Sequence, residues 1–124
     1  MGVYYNHRKR IATEYILKEV LTMMNPNAGV LNAYYLKPIH DNHKSFYKKA
    51  YVKEWATAKE LYSYGTRVAL IKLDENGMNN KLILGRMATC SATTLRHVRE
   101  FMYQQGYETY EKKELAKHYE VGKF

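Results

Sequence analysis

The sequence predicts an α+β fold: a three-stranded antiparallel meander covered by one helix, with additional N-terminal and C-terminal helices. Three observations carry this expectation. Residues 91–106 (SATTLRHVREFMYQQG) have helical period, with Leu95, Val98, Phe101 and Met102 on one face. Asp74-Glu75-Asn76-Gly77 is a hairpin signal between two strand-like runs. The stretches on either side of this middle region read as helices.

Taken in order, residues 8–24 form the first predicted helix. Ile16, Val20, Met23 and Met24 share a face, and Glu14 and Lys18 make a favourable pair four apart. Arg8, Lys9 and Arg10 crowd its start, where positive charge opposes the helix dipole unless an anion is met there. Asn25-Pro26-Asn27-Ala28-Gly29 ends it. Residues 30–39 are ambiguous between a strand and a short helix, and His40-Asp41-Asn42-His43 reads as a turn.

Residues 45–52 are the first predicted strand, with Lys48 and Lys49 on opposite faces. Residues 53–59 are a connection. Residues 60–73 are the second strand, in which Gly65 suggests a bulge or a close backbone approach. Residues 81–88 are the third. Ser91 caps the covering helix and Gly106 lets the chain leave it in a left-handed conformation. The last helix covers residues 109–120, with Thr109 as its N-cap and Lys117 and His118 near its C-terminal end. The sheet-helix core therefore spans residues 44–106 of a single domain, 1–124.

Composition narrows the function. The chain carries 20 Lys and Arg against 12 Asp and Glu, a net charge of +8, which favours an anionic partner. Its 13 tyrosines offer stacking area that loses little rotamer entropy on contact. No apolar run approaches the roughly 20 residues needed to cross a bilayer. The single cysteine, Cys90, forms no intramolecular disulfide and suits a reducing cytoplasm. His40 and His43 lack a recognisable third and fourth metal ligand. Cys90 and His97 lack an orienting third group. Leu95-Arg96-His97 has Thr93 where the similar box of tyrosine recombinases needs His. We therefore expect no catalytic residues, no metal and no cofactor.

Three blocks then stand out: Lys44-Ser45-Phe46-Tyr47-x-Lys49-Ala50, Leu61-x-Ser63-Tyr64-x-Thr66-x-Val68-Ala69, and Ser91-x-Thr93-Thr94-x-Arg96-His97-Val98-x-Glu100-Phe101. Together they resemble a family of small uncharacterised proteins from phages and mobile elements of Gram-positive bacteria. The resemblance covers roughly residues 44–106 and implies context without an activity. Ser45, Tyr64, Thr66, Thr94 and His97 match it, as a shared core or a shared site. The expectation is a small basic non-enzymatic inhibitor, of anti-CRISPR type, in the host-cell cytoplasm. Its partner would be a host defence ribonucleoprotein or nuclease. The alternative is an accessory or regulatory protein that binds DNA or RNA directly. The residues expected to meet the partner are Arg8, Lys9, Arg10, Lys48, Lys49, Arg96, Arg99 and Tyr103, with arginine preferred for bidentate phosphate contact.

Overall fold

A computed structural model describes residues 29–124. The expected helix over residues 8–24, with Arg8, Lys9 and Arg10, lies outside them. Six strands form one mixed sheet in chain order: β1 (Val30–Tyr35), β2 (Ala50–Trp55), β3 (Ala58–Ser63), β4 (Thr66–Lys72), β5 (Lys81–Leu84) and β6 (Glu120–Val121). The strands from β2 to β5 run antiparallel, and β6 returns parallel to β5. One main helix, α1 (Ala92–Gln104), and one short helix, α2 (Lys112–His118), lie between β5 and β6.

This corrects the three-stranded meander with helices at both ends. The extra strands come from turns that the sequence conceals. Residues 60–73 are not one strand but the β3–β4 hairpin, folded at Tyr64 (φ 51°) and Gly65 (φ 80°). Two successive positive φ values match the twist of a two-residue hairpin, which usually recruits Asn-Gly; here tyrosine holds the first position. The bulge lies elsewhere. Register passes from Leu61 opposite Ala69 to Tyr62 opposite Arg67, leaving Val68 as the extra residue. A second such turn spans Phe46 to Lys49: the Lys49 amide donates to the Phe46 carbonyl at 2.9 Å, and Tyr47 and Lys48 have φ of 52° and 61°. The strand expected from residue 45 therefore starts at Ala50. Lys48 and Lys49 lie in the turn and its exit, not on opposite faces of a strand.

The connection expected at residues 53–59 is mostly strand, because β2 runs to Trp55 and β3 resumes at Ala58. The third expected strand stops at Leu84, where the Gly85 amide turns to the Val68 carbonyl at 2.8 Å. The tail adds β6, too short to show a period, which ties back through the Gly122 amide to the Leu84 carbonyl at 2.7 Å. The C-terminal helix is shorter than residues 109–120 and begins after Glu111; Thr109 does not cap it but donates to the Tyr103 hydroxyl at 3.0 Å.

The core follows from the register. Val52, Leu61, Ala69 and Leu84 form one row across four strands, all buried. Leu95, Val98, Phe101 and Met102 of α1 bury their shared face in the same cluster, as expected. The Ser91 hydroxyl accepts from the Thr94 amide at 3.1 Å. At the other end Gly106 has φ of 81°, and the Tyr107 amide reaches back to the Met102 carbonyl at 2.8 Å. On the opposite side of the sheet, Glu60 accepts from Trp55 Nε1 and pairs with Arg67 at 2.7 Å. Burial and the nearby Glu60 carboxylate push the Tyr62 phenol up to about 12. Among the described residues no helix is long and apolar enough to cross a membrane.

Candidate functional site

The two left-handed turns lie side by side: the Tyr64 amide donates to the Lys49 carbonyl at 2.8 Å. A non-glycine residue in this backbone region costs about 1–3 kcal/mol, so three of them in neighbouring turns store strain in one place. What the strain achieves is display. Tyr47 and Tyr64 are 76% and 58% exposed, although the hairpins that carry them are packed on the core.

Between these turns and the first turn of α1 opens a cleft of about 530 Å³, lined by His43, Ser45, Phe46, Tyr47, Lys49, Tyr64, Ala92, Thr93, Arg96 and His97. Ser91 caps the helix start, and Arg96 and His97 of that helix line the cleft beside the turns. His97 is 1% exposed. Its Nδ1 lies 2.8 Å from the Ser63 hydroxyl on β3, which lies 3.2 Å from the Thr94 hydroxyl. Phe46 meets the imidazole edge-on at 4.6 Å and Tyr64 covers it at 5.9 Å, centroid to centroid. Burial holds the His97 pKa below the ordinary histidine range, so the ring is neutral near pH 7.

On the far side of the 46–49 turn is a second groove, of about 540 Å³, which shares Ser45 and Phe46 with the cleft. Tyr35, Lys37, Lys44 and Lys48 line it, and the Lys48 ammonium lies 5.7 Å from the centroid of the Tyr35 ring. Among the described residues no acidic side chain lines either depression.

The loop that carries His43 is clamped to α1 by Glu100. Its side chain is fully buried and accepts from the His40 amide (2.6 Å), the Asp41 amide (2.9 Å), His40 Nδ1 (2.9 Å) and Gln104 Nε2 (2.9 Å). Burial alone would raise its pKa, but these hydrogen bonds outweigh burial and hold it below the usual carboxylate range. Asp41 shows the same balance: burial pushes its pKa up, and the His43 hydrogen bonds and nearby Arg96 pull it down further. Asp41 meets His43 Nδ1 at 2.9 Å and Arg96 at 3.7 Å. His40 and His43 thus serve different carboxylates, and the described residues contain no group of three or more such side chains fit to hold a metal.

Of the residues expected to meet a partner, Lys49 and Arg96 come together in the cleft, and Lys48 stands in the adjoining groove. Arg99 does not join them; it donates to the Tyr110 carbonyl at 2.9 Å and ties α1 to the following segment. Tyr103 is half-exposed further along α1 and stacks on His40 at 5.3 Å. The family-like pattern divides. Ser45, Tyr64 and His97 line the cleft, Thr94 is buried behind it, and Thr66 is exposed at the start of β4. Charge reasoning missed Tyr47, Lys37, Lys44 and Thr93. Only the first and third sequence blocks pointed to them in part, because they meet through the turns.

Among the described residues, fold and cleft together give a single mixed sheet with a basic, tyrosine-lined surface. The chain belongs to a family of unknown function, DUF8033, whose pattern matches residues 34–117. That span takes in both depressions and the whole of α1. No curated protein and no solved structure matches the chain significantly.

Proposed function

We propose that this protein binds single-stranded nucleic acid across the 46–49 turn, without catalysing a reaction on it. One observation carries the reading: Lys37, Lys44, Lys48, Lys49 and Arg96 line two adjoining depressions that contain no acidic side chain and are walled by Tyr35, Tyr47 and Tyr64. Cations track a phosphate backbone, and exposed aromatic rings offer stacking platforms to unpaired bases of any sequence. Duplex bases are already stacked on each other, so rings standing out of a turn suit a single strand better. Cys90 is exposed and free, which suits the reducing cytoplasm of a host cell.

The test is charge reversal beside the turn. A Lys48→Glu, Lys49→Glu double variant should remain folded, since both side chains are exposed, and should lose at least about tenfold in affinity for a labelled single-stranded oligonucleotide. Unchanged affinity would reject the surface. A second proposal for the same surface is inhibition of a host defence ribonucleoprotein. Binding seen only with an assembled guide-RNA nuclease, and never with a naked strand, would favour it over direct nucleic-acid binding.

A further inference from the structure

The inner end of the cleft holds a donor array that strand binding alone does not require. Helix α1 starts there with Ser91 capping the Thr94 amide, which leaves the amides of Ala92 and Thr93 without a partner inside the helix. No acidic side chain stands in that first turn. A helix start bare of carboxylates is open to an anion.

His97 supplies the independent observation. Its Nδ1 is used by Ser63, and among the described residues no hydrogen bond reaches its Nε2. Yet no buried side-chain nitrogen or oxygen among the described residues lacks a hydrogen bond. Nε2 therefore borders the open cleft that His97 lines. Donor counting assigns its proton. Ser63 sits between Thr94 and His97. If His97 donated to Ser63, Ser63 would donate to Thr94, and the Thr94 hydroxyl would have no acceptor. In the opposite direction Thr94 donates to Ser63 and Ser63 donates to Nδ1, so every hydroxyl proton is used. The imidazole then carries its proton on Nε2 and donates into the cleft.

We infer that the cleft is a seat for a phosphomonoester, the phosphorylated end of a strand, an inference that rests on the nucleic-acid reading above. Ala92, Thr93, His97, Arg96 and Lys49 all line this one cleft. A terminal phosphate has three free oxygens and close to two negative charges to satisfy them. An internal phosphodiester has two free oxygens and one charge, and its chain must leave on both sides. Arg96 also contacts the His43 ring, with Nε2 at 3.0 Å, and lies 3.7 Å from Asp41, so a phosphate would have to draw it from these partners; Asp41 itself does not line the cleft. Tyr64, beside His97, is placed to receive the terminal base.

The experiment is calorimetric titration of the full chain with one short single-stranded sequence in three forms: 5′-phosphate, 3′-phosphate, or hydroxyl at both ends. A nucleoside 5′-monophosphate is the fourth ligand. One phosphorylated form should bind about tenfold tighter than the hydroxyl-ended strand, the scale of charge-assisted hydrogen bonds. His97→Gln should reduce that ratio. Ala92→Pro should also reduce it, with the helix intact, because proline is accepted at the first helical position and Ser91 before it is already extended (φ −146°, ψ 161°). Equal affinity for all three ends overturns the seat, while salt-sensitive binding of the hydroxyl-ended strand leaves the nucleic-acid reading standing. Binding of the monophosphate with no strand bound at all keeps a phosphate site but overturns its assignment to a strand end. No binding by any ligand overturns both.

Discussion

His97 joins the stability of this protein to its candidate site. Buried on the sheet, it holds Ser63 through Nδ1 and lines the cleft. Its folded-state pKa is lowered, so the sign of the pH effect is fixed. Below about pH 6.5 the unfolded chain takes up a proton at this position and the native chain resists it. The contribution of His97 to stability is present above that pH and is lost as pH falls through the window beneath it. Urea unfolding at pH 7.5 and pH 5.5 should show the wild type losing more stability than His97→Gln, by up to about 1.4 kcal/mol per pH unit. Parallel loss in the two proteins would contradict a neutral buried imidazole.

At the scale of elements, α1 and the turns behave oppositely. Helix α1 is written in local signals: the Ser91 cap, apolar positions three and four apart, and Gly106 at the exit all act within a few residues. Its buried face was therefore legible, and Phe101→Ala should cost about 3–5 kcal/mol in chemical denaturation, since the ring is fully buried in the common cluster. The strands were misread because their turns break local rules. Tyr47, Lys48 and Tyr64 adopt left-handed backbone that composition assigns to Gly, Asn or Asp, so residues 60–73 look like one strand and residue 45 looks like the start of another. Only long-range pairing reveals them, as when the Tyr64 amide meets the Lys49 carbonyl. The short parallel β6 has no pattern of its own and exists because Leu84 offers it a carbonyl. The same strain makes a prediction. Tyr64→Asn should raise stability by about 1 kcal/mol, by suiting the turn, and should weaken oligonucleotide binding by removing a stacking ring. Thermal melting and a binding titration on the one variant check both halves; a variant that is stabilised and binds normally would show that the tyrosine serves neither ligand nor turn.

Across the whole molecule, a net charge of +8 favours the proposed anionic partner but does not place it. Arg96 and Arg99 are three apart on one helix, yet Arg96 faces the cleft while Arg99 is bound to the Tyr110 carbonyl. The surface arises where the loop held by Glu100, two strained turns and the start of α1 converge, and no single stretch of sequence contains it. The proposed contact is electrostatic, with several phosphates of a single strand, and it is tested most directly by affinity for a fluorescently tagged oligonucleotide as a function of salt. With five cations on the track and a slope of about −0.7 per phosphate contact, affinity should fall about 100-fold between 50 and 200 mM salt. A flat response over that range, with the protein folded throughout, would contradict the account.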